Sequence, residues 1–159
     1  MVKRRVFFSF DYDNDVMRVS QIKQMGVIED GSTLVSSNDW EKIKRGGYTA
    51  IKKWINDNMN GRSCIVVLIG TDTAESKWVK YEIEKAWNDG KGVLGIYIHN
   101  IKCARHGYCP IGNNPFDFTY NGQNLSSYVE CFNPKDYDAY NDITNNLENW
   151  IERAIAKRR

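Results

Sequence analysis

Three short runs of almost unbroken apolar residues, at 6–10, 64–69 and 93–98, constrain this chain most. A strand that is apolar on both of its alternating side-chain sets must be covered on both faces. That is the condition of a parallel sheet lying between layers of helices. Helical periodicity fills the intervals. Val16, Val19, Ile22 and Met25 predict a helix over about 15–25, and Ile51, Trp54 and Ile55 predict another over about 48–59, closed by Asn60-Gly61. Val79, Ile83 and Ala86 form the buried stripe of a third helix that ends near Asn88-Asp89-Gly90. Tyr140, Ile143, Leu147, Trp150, Ile151 and Ala154 give a last helix its apolar face, and residues 127–132 are expected to add a short final strand. Between Gly26 and Gly47 the pattern is weak and polar, a long connection of the kind that tends to carry function. The expectation is a flavodoxin-like three-layer α/β/α domain with a parallel central sheet.

The length of 159 residues predicts one domain, with a core at about 4–118 and a C-terminal strand and helix at about 127–158. Twenty-two basic residues against 20 acidic ones leave a net charge of only +2, without the concentrated basic face that nucleic-acid binding requires. Lys157-Arg158-Arg159 form a basic cluster where cations favour the end of a helix. No run reaches the length of a membrane span, and the start of the chain lacks the features of a signal peptide, so a cytoplasmic location is expected. Four cysteines in a reducing compartment imply no disulfides.

In sheets of this class ligands gather outside the carboxyl ends of the strands, at the switch point of the strand order. Ser9, Phe10 and Asp11 end the first strand, Gly70, Thr71 and Asp72 the second, and His99 and Asn100 the third. Glu82 stands four residues after Trp78 on the third helix. On a helical wheel it falls roughly 65° from the centre of the buried stripe, whereas Glu84 falls roughly 130° away. Glu84 is therefore a solvent-facing charge, while Glu82 lies at the core edge, where a cleft could open. Position alone leaves two readings for Glu82, a working carboxylate or a surface salt bridge. Trp78 reads as a packing residue or part of a site, and Trp40 as a loop anchor or a platform for a planar ligand.

Other chemistries fit less well. Asp11 and Asp13 suggest a phosphoacceptor pocket, but Ile69-Gly70-Thr71 supplies no aspartate at the end of the middle strand, and Asp11 to Asp15 read better as the cap of the first helix. Neither a dinucleotide glycine fingerprint nor a P-loop is present. His99, Cys103, His106 and Cys109 could be gathered around zinc, but their spacing matches no common pattern, and no metal is expected. The same residues do not make a Cys/His protease plausible.

Together the motifs resemble the TIR domain family. Val6-Phe7-Phe8-Ser9-Phe10 is similar to its first box. The strand, short loop and Ser-x-Trp-x-x-x-Glu-Ile of residues 65–83 are similar to its signature. The closest likeness is to the ThsB-type TIR-like proteins of the Thoeris antiphage defence system, through Trp40-Glu41 and Asn114-Pro115-Phe116-Asp117 as well. Residues 26–47 depart from the Arg-Asp and Pro-Gly pattern that animal and plant TIR domains use in assembly.

The resemblance implies an enzyme that takes NAD⁺ as substrate, needs no cofactor and cleaves the nicotinamide–ribose bond. It further implies that the ADP-ribose is cyclised into a signal that reaches a separate effector protein. Glu82 matches the family's catalytic glutamate. Ser9, Phe10, Asp11, Tyr12, Trp40 and Trp78 are the expected substrate-binding residues, with the aromatic rings stacking on a base. Two other readings remain open from sequence: a non-enzymatic adaptor acting through protein contacts and self-association, and a zinc-stabilised binding domain.

Overall fold

The computed structural model describes residues 4–27, 37–103 and 107–158. Its frame is a four-stranded sheet in the order β1-β2-β3-β6, parallel throughout. The strands are β1 (Val6–Ser9), β2 (Cys64–Ile69), β3 (Gly92–Tyr97) and β6 (Cys131–Phe132). The α-helices are α1 (Tyr12–Lys23), α2 (Ser37–Arg45), α3 (Gly47–Met59), α4 (Lys77–Asn88) and α5 (Ala139–Ala156). A hairpin of β4 (Thr119–Tyr120) and β5 (Gln123–Asn124) stands apart from the sheet.

Alternation along each strand separates two apolar layers. Val6, Phe8, Cys64, Val66, Leu68, Leu94 and Ile96 pack with Val19 and Ile22 of α1 and with Ile143, Leu147 and Ile151 of α5. Phe7, Ile65, Val67, Ile69 and Val93 point the other way, onto Ile51, Ile55 and Met59 of α3 and Val79, Ile83 and Ala86 of α4. Every residue of β2 is buried, which is why that run lacks any polar alternation. The flavodoxin-like α/β arrangement expected from sequence is therefore present. The described strands follow one another in chain order, so no reversal of order marks a switch point among them.

Several local expectations need correction. α1 begins at Tyr12 rather than near Asp15, because the Asp11 carbonyl already accepts the Asp15 amide at 2.9 Å. Asp11 is the N-cap residue by position, but its side chain makes no capping bond to the helix. The connection that holds Trp40 ends in helix α2, whose Trp40 and Ile43 pack on the α3/α4 layer. Residues 28–36 lie outside the description. The last strand shrinks from 127–132 to two residues, since Leu125–Ser127 turns as a 3-10 helix. Tyr140 is exposed rather than part of the inner face of α5. Among the described residues no helix is long and apolar enough to cross a membrane.

Candidate active site

β1 ends at Ser9, and Phe10 and Asp11 lead directly into α1. Ser9 belongs by alternation to the same face as Phe7, and it is fully buried. Its hydroxyl donates to Glu82 Oε1 at 2.7 Å. Glu82 reaches it from the second turn of α4, a helix started by Ser76, whose hydroxyl accepts the Val79 amide at 3.2 Å. The cap satisfies a first-turn amide, while the apolar stripe of Val79, Ile83 and Ala86 fixes the helix's phase, so that these residues enter the core and Glu82 turns towards Ser9 at the carboxyl end of β1. The predicted core-edge position is thus real, but Glu82 is more enclosed than a wheel implies, with 7% of its surface exposed. Glu84 is partly exposed.

Beside Glu82 lies a cavity of about 160 Å³, lined by Phe8, Phe10, Asp11, Tyr12, Asp13, Trp40, Lys44, Ile51, Trp54, Ser76, Trp78 and Glu82. Its walls are a relay of aromatic rings. Phe10 stacks on Tyr12 at 5.4 Å and Tyr12 on Trp40 at 5.2 Å, while Trp40 meets Trp54 edge-on at 5.9 Å. Trp78, which lines the same cavity, packs against Tyr48 and Tyr81. Among the described lining residues Lys44 is the one cation, and it is held by Asp13 at 3.3 Å and Glu41 at 3.0 Å. The volume is below the roughly 300 Å³ of sites that enclose drug-sized ligands. It suits one ring of a larger molecule.

Burial raises the Glu82 carboxyl to about 8, and the Ser9 hydroxyl only partly opposes that shift. No Lys or Arg pairs with it among the described ion pairs, so the salt-bridge reading of Glu82 is not what the structure contains. A carboxyl held among aromatic faces, with no described cation paired to it, becomes complementary to a planar cation once it ionises. The ring quadrupoles and the carboxylate would both be satisfied by one.

Six of the seven residues singled out from sequence line this cavity: Phe10, Asp11, Tyr12, Trp40, Trp78 and Glu82. Ser9 does not line it. It sits behind Glu82 and holds it. Trp54 and Lys44 escape the sequence reading as site residues, and Asp13 enters it only through the phosphoacceptor pocket that the sequence argues against. Trp54 lies on the inward face that the periodicity of α3 predicts, but its neighbour Trp40 comes from a segment without a clear period. Among the described residues no three His, Cys, Asp or Glu side chains are grouped so that they could hold a metal ion, those of the thiol-rich loop included. His106 lies outside them. Cys64 is buried in the core, where burial pushes its thiol up, and Cys131 packs beside Gly95.

Comparison with known proteins agrees with this geometry. The family described as Thoeris protein ThsB, TIR-like domain, matches residues 7–102, more than half of the chain. A protein of Bacillus cereus (strain MSX-D12) named "Putative cyclic ADP-D-ribose synthase ThsB1" is 34% identical over 119 residues, which cover 72% of this chain and 62% of that relative. The chain thus spans less than two thirds of the length of the curated relative it matches.

Proposed function

The chain belongs to the ThsB TIR-like domain family, and from that premise we propose that it cleaves the nicotinamide–ribose bond of NAD⁺ and cyclises the ADP-ribose into a signal nucleotide. The observation that carries this reading is Glu82, a buried carboxyl without a cationic partner among the described residues, on the wall of an aromatic cavity. Nicotinamide in NAD⁺ is a planar pyridinium cation, the kind of group that cavity complements. The relative's name points to the same product class.

When the C1′–N bond breaks, its electron pair goes to the pyridinium nitrogen and nicotinamide leaves neutral, so no general acid is needed. Positive charge moves to the ribose, as in glycoside hydrolysis. The Glu82 carboxylate stabilises that charge and accepts hydrogen bonds from the ribose hydroxyls. Arrival of a cation beside Glu82 favours its ionised form, so substrate binding itself produces the carboxylate that the step uses. Ser9 occupies Oε1 and leaves Oε2 to the substrate. The aromatic walls exclude water, and a second hydroxyl of the same nucleotide then takes the place of nicotinamide at C1′ and loses its proton. The product acts on a separate effector in antiviral defence.

Mass-resolved chromatography of NAD⁺ incubated with the protein, alongside Glu82→Gln, tests this. Nicotinamide and a cyclic ADP-ribose species are expected from the wild type alone. ADP-ribose without the cyclic product would remove the cyclase and keep the cleavage. No nicotinamide, even from cells challenged by phage, would overturn the reading and favour an adaptor that works through protein contacts.

A further inference from the structure

The Glu82 cavity has room for one ring, so the rest of a dinucleotide must lie elsewhere. A second cleft of about 460 Å³ opens on the other side of the start of α4. Ser76 borders both spaces. Trp78 and Glu82 face the first, and Val79 and Lys80 face the second. The far wall of the second is the segment Asn113 to Phe118, which the proposed chemistry leaves without a task.

That wall presents what a nucleoside requires. The Lys80 ammonium lies 5.0 Å from the centre of the Phe118 ring, bringing a cation and an aromatic face together. Asn113 is exposed, and its amide makes no side-chain hydrogen bond among the described residues. An asparagine amide matches the donor–acceptor edge of adenine. Asp117 accepts Asn124 Nδ2 on Oδ1 at 2.9 Å, which leaves Oδ2 for a ribose diol. Asn114, by contrast, is committed, since its Oδ1 accepts the Phe116 amide at 2.8 Å and so holds the wall in shape. The volume falls within the roughly 300–1,000 Å³ of small-molecule sites.

We infer that this cleft holds the adenosine end of the dinucleotide, with the diphosphate crossing Ser76 and the first turn of α4. The inference rests on the proposed NAD⁺ chemistry and assigns the half of the substrate that the Glu82 cavity cannot enclose. Lys80 and Asn113 would then govern affinity for the adenosine half and leave bond cleavage to Glu82.

Titration with AMP, followed by calorimetry and amide chemical shifts, separates this inference from the one it rests on. AMP is expected to bind wild type and Glu82→Gln with the same Kd, with shifts confined to residues 73–80 and 113–118. Lys80→Glu and Asn113→Leu, both at exposed positions that tolerate change, are each expected to weaken it at least tenfold. Absence of AMP binding to the wild type at millimolar concentration, or binding that neither variant disturbs, would overturn the inference. Intact AMP binding in a protein that releases no nicotinamide would instead strike only the reading of the Glu82 cavity.

Discussion

Two buried carboxyls sit at the carboxyl end of this sheet, and they differ in what surrounds them. Glu82 and Asp15 are both almost wholly enclosed, and burial raises both, to about 8 and about 6. Asp15 is built into solid packing. Its carboxylate lies so close to Gly70 that a Cβ there would collide with it, and Arg18 stands 3.6 Å away. The Asp11 charge adds to the upward shift and Arg18 opposes it. Arg18 in turn donates to the carbonyls of Ile101 at 3.0 Å and Gly107 at 2.8 Å, tying α1 to the loop after β3. Glu82 has no counter-ion among the described residues but faces a cavity. A perturbed carboxyl therefore does not by itself identify a site; access to a space that a substrate can fill does.

The largest expected effect breaks the pair apart. Glu82→Gln should remove nicotinamide release by about a thousandfold or more, the scale of losing a principal electrostatic stabiliser. It should also fold at least as stably as the wild type. Glu82 titrates near 8 when folded and at the ordinary 4.5 when unfolded, so the folded state binds its proton more tightly. Its contribution to stability is complete below about pH 4.5 and is lost as pH rises through about 8. Urea denaturation between pH 5 and 8.5 should show wild-type stability falling, with a slope that Glu82→Gln flattens. An unchanged slope would mean that Glu82 is not buried as described.

Asp15→Ala should do the reverse. It leaves the Arg18 guanidinium buried without its counter-ion, a change worth about 3 kcal/mol of stability. Nicotinamide release per folded molecule should stay within a few-fold. Loss of activity in a folded Asp15→Ala protein would show that the two carboxyls act as one unit. Next in size is Trp40→Leu, which removes the ring between Tyr12 and Trp54. The KM for NAD⁺ should rise about tenfold, the scale of a desolvated cation–π contact, with kcat changed much less.

How much of this was legible in the sequence depends on which force placed each residue. Val79, Ile83 and Ala86 set the phase of α4 by periodicity alone, so Glu82 was correctly placed at the core edge. Three apolar strands predicted the sheet for the same reason. Periodicity failed where an element is short or its partner distant. Trp40 and Ile43 are the apolar anchors of α2 among charged neighbours, too sparse to declare a helix. The hairpin of β4 and β5 lies outside any periodic segment, although Asn121-Gly122 at its tip, with φ of 52° and 78°, is a strong local hairpin signal. Asp15 looked like part of a helix cap because its proximity to Gly70 spans more than fifty positions of chain. The role of Ser9 was hidden similarly, since no local pattern links it to Glu82, 73 residues away.

Ser9 offers the smallest and most discriminating test. Sequence grouped it with the substrate-binding residues, whereas the structure puts its hydroxyl on Glu82 and out of the cavity lining. If Ser9 acts through Glu82, then Ser9→Ala removes the one hydrogen bond that lowers the carboxyl's pKa, and burial is left unopposed. The rising limb of kcat/KM for nicotinamide release, which follows ionisation of the free enzyme, should sit near pH 8 in the wild type. It should move upward by about half a unit to one unit in Ser9→Ala, the scale of one hydrogen bond to a charged group. Activity should thus fall several-fold at pH 7 and recover at pH 9. A residue that instead touched NAD⁺ would lower kcat/KM equally at every pH. A uniform loss would return Ser9 to the substrate, and a displaced limb would assign it to the carboxyl.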